Sequence, residues 1–255
     1  DMGLEVSQSE ALPGRPNVLL ELKQTRARRT FLFDVHLDTV PLGGERAETD
    51  PIVENGRLYG RGACDTKGSM AAALIALARL AANPPADNYN VALLGTVDEE
   101  YLKRGVDFAV DSGLTADVAI VGEPTELQAV TAHKGVVRWE IVTHGRTAHT
   151  SRPDRGINAV YAMTHVIDAL RQRFETGGMV DPHPLCGEST LTVATVHGGV
   201  QVNIVPDECR IEIDRRTLPN EVGADFLEAV QHELDGLRER EPWIDVESLE
   251  PFLME

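Results

Sequence analysis

The stretch "TFLFDVHLDTVPLGG" (Thr30–Gly44) decides how this chain is read. Phe31, Leu32, Phe33 and Val35 give its first half the apolar density of a buried strand. His36 and Asp38 follow, one residue apart, and then Pro41 and the Gly43–Gly44 pair, which break the strand. Residues two apart in a strand face the same side. An imidazole and a carboxylate therefore leave the end of a core strand together. On its own the pair is compatible with an ordinary polar strand end, and the rest of the chain must decide.

Working outward, "NVLLEL" (17–22), "RTFLFDV" (29–35), "NVALLGTV" (90–97) and "DVAIVG" (117–122) read as strands. "GSMAAALIALARLAANPP" (68–85) is Ala/Leu-rich with a terminal proline stop, the pattern of a buried helix. "LKRGVDFAVDSG" reads as a short helix ending at Gly113. Strands alternating with helices predict an α/β layer fold with a mostly parallel central sheet and flanking helices. The texture changes after Lys134-Gly135. "VVRWEIVTH" (136–144) alternates with period two, "GINAVYAMTHVIDALRQRF" (156–174) is an amphipathic helix, and two strands, a helix over 223–237 and a strand near 243–248 follow. That order predicts a small α+β sandwich of four strands with two helices on one face, and domain boundaries near 134 and 249.

The acidic balance (net charge −17, with 24 basic against 41 acidic residues) argues against nucleic-acid binding, which needs clustered Lys and Arg. No apolar run has the length of a membrane helix. Cys64, Cys186 and Cys209 are an odd number without CxxC spacing, so neither a disulfide framework nor a Cys-type zinc site follows and a reducing cytoplasm is expected.

Chemistry gathers at the strand ends. "YGRGACDTKGSMAAAL" places Asp65 in a Gly-rich turn just before the buried helix, where it could equally be a cap or turn residue. "LLGTVDEEYLKRG" ends a core strand in Asp98, Glu99 and Glu100, adjacent carboxylates that repel one another unless a cation neutralises them. "VAIVGEPTELQAV" ends another with Glu123. Ligands of open α/β sheets gather outside the carboxyl ends of the strands. His and carboxylates converging there suit zinc or a related pair of metals. No Ser-His-Asp signature is present, since "KGSMA" opens a helix rather than a nucleophile elbow.

"HLDTVP", "GRGACDTKG", "DEE", "GEPTELQAVTAHKG" and "GRTAHTSRPDRGINAV" resemble, in order and spacing, the M20-type metallopeptidase and deacylase family. That family includes acetylornithine deacetylase, succinyl-diaminopimelate desuccinylase, aminoacylase-1 and glutamate carboxypeptidases, and "GEPTELQ…AHKG" is most similar to the acetylornithine deacetylase branch. The resemblance implies that residues 1–134 are the N-terminal part of a catalytic metal-binding domain. Residues 135–249 would be an inserted dimerisation or lid domain, and 250–255 the start of the return. It implies two divalent metals, zinc or cobalt, with Asp65 bridging, His36 and Glu123 completing one site and Glu100 in the other. Glu99 would be the general base, and Asp38 would hold the His36 imidazole. His149 would reach the partner subunit's active site in a homodimer, and Asn203 and Arg216 would contact substrate.

The resemblance further implies removal of an acyl group from a small N-acyl amino acid such as N-acetylornithine. A carboxypeptidase or dipeptidase of the same chemistry and a non-catalytic binding relative are the alternatives. The family's last metal ligand, a histidine near the chain end, has no counterpart before "EPFLME", and His232 reads as a surface residue. The expectation is a chain lacking both family termini, with its second metal site one ligand short. A cis Asp65–Thr66 peptide is also expected from the resemblance.

Overall fold

The computed structural model describes residues 4–25, 27–41, 51–84, 89–175 and 179–255, so the Gly43–Gly44 turn and Pro85 lie outside the described residues. The chain forms two compact units, Asp1–Ala129 and Val130–Glu255.

The first unit contains β1 (Glu5–Leu12), β2 (Arg15–Leu22), β3 (Arg29–His36), β4 (Ile52–Glu54), β5 (Arg57–Tyr59), α1 (Ser69–Ala82), β6 (Tyr89–Thr96), α2 (Arg104–Asp111) and β7 (Val118–Val121). Five strands form one sheet in the order β1-β2-β6-β3-β7, and β4 and β5 pair as a separate hairpin. β3 runs parallel to both β6 and β7. α1 and α2 supply the crossovers that parallel neighbours require.

The alternating faces of the strands explain the layers. Val35, Val91 and Leu93 point to one side and pack with Ala73 and Leu77 of α1. Leu32, Ala92 and Leu94 point to the other and pack with Ala109 of α2. Fully burying one such leucine stabilises by about 1.5–3 kcal/mol. The sheet is mixed, because β2 pairs antiparallel with β6 and β1 antiparallel with β2. β1 escapes a sequence reading because "EVSQSEAL" is exposed over most of its length and carries little apolar signal.

The second unit contains β8 (Gly135–His144), α3 (Ala159–Leu170), β9 (Thr190–Gly198), β10 (Glu208–Thr217), α4 (Gly223–Arg240), β11 (Asp245–Ser248) and β12 (Leu253–Met254). Its antiparallel sheet has the order β11-β8-β10-β9, and β12 also pairs with β8. Val137, Trp139, Ile141, Ile211 and Ile213 alternate onto one face and meet Ala162, Met163 and Val166 of α3 and Phe226, Val230 and Leu234 of α4. This is the four-strand, two-helix sandwich that the period-two and period-3.6 patterns predict. α3 starts where the Asn158 side chain accepts from Val160 N at 2.9 Å, an N-cap. A wider turn, Arg171–Glu175, continues α3 and buries Phe174. Residues after Ser248 stay with this sheet, Leu253 pairing with Arg138.

Arg215 is the largest buried charge of this unit. Its Nη2 donates to Glu221 Oε1 at 2.6 Å and to Ser189 Oγ at 2.7 Å, and its guanidinium lies 4.4 Å from the Phe226 ring centre. Among the described residues no helix is long and apolar enough to cross a membrane.

Candidate metal centre

The parallel register brings the candidate site residues of the first unit together. Val35 and His36 pair with Gly95 and Thr96, and Asp34 pairs with Val121. The segments that follow β3, β6 and β7 therefore leave the sheet side by side at its carboxyl edge, carrying His36–Asp38, Asp98–Glu100 and Glu123. Gly122 N donates to Asp34 O at 2.8 Å, and a Cβ on Gly122 would stand 2.6 Å from Val35 Cγ1, so glycine lets the chain hug β3 before Glu123. Asp65 arrives from the turn ahead of α1. Its peptide to Thr66 is cis, as expected, and the fully buried Thr66 donates from Oγ1 to His36 O at 3.1 Å.

His36 is 2% exposed. Its Nε2 lies 2.8 Å from Asp65 Oδ1 and 4.0 Å from Glu123 Oε1. Ligand atoms of His36, Asp65 and Glu100 all lie within 4.8 Å of one another. Two ligand atoms on one tetrahedral zinc stand roughly 3.4 Å apart, given bonds of about 2.0–2.2 Å. The observed 2.8 and 4.0 Å bracket that value, so these residues fit a divalent metal.

Electrostatics agree with the geometry. Burial alone would lower the His36 pKa, but hydrogen bonds with Asp65 and the Asp38 carbonyl and the fields of Glu123 and Glu99 outweigh it and the net shift is upward. Burial raises Glu99; His36 and Lys103 oppose it, and Glu100 and Asp38 add to it. Burial raises Glu123 as well, against His36 and with help from Glu99, Asp65 and Glu100. Burial first, and like charge beside it, disfavour the ionised carboxylates, and a bound cation would relieve both.

Asp38 sits beside His36, but its carboxylate is turned elsewhere. His36 Nδ1 faces the Asp38 backbone oxygen at 3.0 Å, whereas the nearest Asp38 carboxylate oxygen is 3.8 Å away. That carboxylate accepts instead from Glu99 N at 3.2 Å and Glu100 N at 3.3 Å. The expected carboxylate–imidazole contact is thus replaced: the main chain of Asp38 orients the imidazole and its side chain orients the two glutamates. Asp98, the first of the three consecutive acids, is not part of the cluster. It is neutralised by Arg104 at 2.6 Å and Arg15 at 3.1 Å, and the Arg104 hydrogen bond, with help from Arg15, holds its pKa down despite burial. The sequence reading had no signal for these two arginines, nor for the buried Asn17 described below.

The remaining residues lie in the second unit. His149 is exposed, and its main chain bridges to Ile204, while Thr150 N donates to Asn203 O at 3.1 Å, so His149 and Asn203 are neighbours. Ser151 N donates to His149 Nδ1 at 3.2 Å, which makes Nδ1 an acceptor and leaves the neutral ring its proton on Nε2. Arg216 belongs to β10. Glu208 and Arg216 are at opposite ends of β10, on the order of 26 Å apart at about 3.3 Å per residue. The Arg216 side chain is 47% exposed and forks onto Asp214, with Nε–Oδ1 at 2.7 Å. Asp214 is shared with Arg138, whose Nε lies 2.8 Å from Oδ2. Cys64 is exposed, and so is His232 on α4, as its sequence context indicates.

Two family models match this chain. Residues 17–168 match Peptidase family M28, more than half of the chain, and residues 131–241 match the peptidase dimerisation domain of the M20 type. Among solved structures, an M20 family metallo-carboxypeptidase from Sulfolobus solfataricus superposes with a TM-score of 0.75 at 20% identity, covering 96% of this chain and 69% of its own. A tripeptidase from Staphylococcus aureus gives 0.68 at 22% identity, covering 98% and 66%. A Bacillus subtilis protein described as a dinuclear metal-binding peptidase from the M20 family gives 0.65 at 16% identity, covering 99% and 65%. The chain thus spans about two thirds of the length of these relatives. The two matches name different families over 131–168, where the M28 match runs past the unit boundary at Ala129. The chain has the fold of the M20 peptidases, with a match to Peptidase family M28 over more than half of its length and a peptidase dimerisation domain of the M20 type.

Proposed function

We propose that this chain carries the working residues of a metal-dependent hydrolase that cleaves an amide bond in a small amino-acid derivative. The observation that carries the reading is the convergence of His36, Asp65, Glu100 and Glu123 at one sheet edge. His36 and Glu123 would hold one divalent metal, Glu100 a second, and Asp65 both. Bound there, such ions polarise a carbonyl and lower the pKa of water. Glu99, half-buried and raised by its surroundings, takes a proton from the attacking water and returns it to the leaving nitrogen. The Asp38 carboxylate holds the Glu99 and Glu100 amides and so aims both side chains. His149, with its proton on Nε2, is a hydrogen-bond donor suited to the oxyanion of the partner subunit's reaction. Asn203 stands beside it for substrate contact, and Arg216 would exchange Asp214 for a substrate carboxylate.

The substrate we favour is an N-acyl amino acid, from the "GEPTELQAVTAHKG" motif. Short peptides are the second reading, favoured by the tripeptidase and carboxypeptidase among the similar structures. The test is metal analysis of the full-length protein after zinc or cobalt loading, followed by hydrolysis of a panel led by N-acetylornithine and including di- and tripeptides. Turnover of acylated amino acids well above peptides supports the first substrate class and the reverse supports the second. Absence of both metal and hydrolysis sinks the proposal.

The second unit would pair with a second copy, as its match to a dimerisation domain supports. His149→Ala should then lower kcat on the order of 10²-fold, the usual cost of losing one oxyanion donor, with metal content unchanged. Mixed with Glu99→Gln subunits, it should recover part of the lost activity, because one hybrid site holds both intact residues. No recovery after demonstrated subunit exchange would remove His149 from the partner's site.

A further inference from the structure

We propose that Asn17 is a positioning residue that holds the loop bearing Glu99 and Glu100, an inference that rests on the roles proposed for those two glutamates. Asn17 is 3% exposed on β2, and no other part of the mechanism uses it. Its Oδ1 accepts from Val97 N at 3.1 Å and its Nδ2 donates to Gly105 O at 2.7 Å. Gly105 N donates to Val97 O at 3.1 Å. The segment just after β6 and the first turn of α2, which flank the 98–103 loop, are therefore clasped by three hydrogen bonds, two of them through one side-chain amide.

The clasp begins where the sheet stops. Val18↔Gly95 is the last β2–β6 pair, and Asn17 reaches past it to the loop stem. Only a side chain with one acceptor and one donor fits, since Val97 N must meet an oxygen and Gly105 O must meet an N–H. An aspartate would set lone pairs against Gly105 O, and an apolar residue would orphan two buried backbone groups. The stems are also too close for any residue but glycine at 105, where a Cβ would stand 2.2 Å from Val97 O. Between these two points, Lys103 N donates to Asp98 O at 2.6 Å and Arg104, the first residue of α2, grips the Asp98 carboxylate, so the loop behaves as one body held at Val97 and at the start of α2. Loosening this hold swings Glu99 and Glu100 together, and a shift of about 1 Å costs on the order of 10²-fold in rate.

The experiment compares full-length, metal-loaded Asn17→Ala and Asn17→Asp with wild type and Glu99→Gln on the best substrate of the panel, and adds amide hydrogen exchange on the metal-free proteins. Both Asn17 variants should lose on the order of 10²-fold in kcat, with KM changed by less than about threefold. Exchange should quicken about tenfold or more over 97–105 while Val91–Leu94 in β6 keep their protection. The Asn17→Ala/Glu99→Gln double variant should lose less than the product of the two single losses, because part of the Asn17 effect acts through Glu99.

A kcat within about threefold of wild type, faster exchange spread evenly over β2 and β6, or losses that multiply in the double variant would each overturn the proposal. So would failure of the Ala and Asp variants alike to fold, which would assign Asn17 to stability. An inactive wild type, or Glu99→Gln at the wild-type rate, would sink the functional reading instead. The exchange pattern would still decide whether Asn17 holds the loop.

Discussion

Glu99→Gln is expected to lower kcat by about 10² to 10⁴-fold, the usual contribution of a general acid–base group, with metal content unchanged. The amide occupies the same space but accepts no proton. Nothing else in the loop should move, because Asp38 holds position 99 through its backbone N–H, which the substitution leaves in place. Steady-state kinetics on the preferred substrate, with metal content measured on the same samples, check it. A variant that keeps more than about a tenth of wild-type kcat would take the base role away from Glu99. Loss of metal along with activity would instead make it a ligand.

The largest expected effect on stability lies at the neighbouring pair Arg215 and Arg216, which differ by one position and by everything around them. Arg215→Ala should destabilise the second unit by about 3–5 kcal/mol, because it leaves Glu221, only 3% exposed, as a buried charge without its partner. Removing both should cost less than the sum of the single losses, since the double variant strands no charge. Arg216→Ala removes an exposed pair with Asp214 and should change stability by no more than about 0.5 kcal/mol. Chemical denaturation followed by Trp139 fluorescence reads this directly, as the indole is buried against Phe226 at 5.7 Å. Equal losses for the two arginine variants would mean that the Arg215–Glu221 pair adds nothing to the unit. Arg216→Ala should instead raise KM if the exposed guanidinium meets substrate carboxylate.

The layer order of both units was legible because strands and helices announce themselves by local period. "NVALLGTV" has the continuous apolar run of a strand covered on both faces, and "VVRWEIVTH" the alternation of one covered on a single face. β1 was illegible for the same reason: an exposed strand needs no apolar face, and only its pairing with β2 makes it a strand. His36, Asp65, Glu99, Glu100 and Glu123 were legible as strand-end or turn residues in order, and parallel pairing turned that order into proximity.

The sequence by itself determined the two-unit architecture and which imidazole and carboxylates could meet at one sheet edge. Both follow from periodicity and from the rule that a strand ends where its polar residues begin. Only the tertiary structure decided which way each polar group turns. Asp38 gives its carboxylate to the Glu99 and Glu100 amides, Asp98 is taken by two arginines, and Arg215 rather than Arg216 is buried. It also decided that Asn17, 88 residues from Gly105, clasps the acidic loop. A hydrogen bond is set by distance and direction in space, and no spacing along the chain encodes which of several equally polar partners lies within 3 Å after folding.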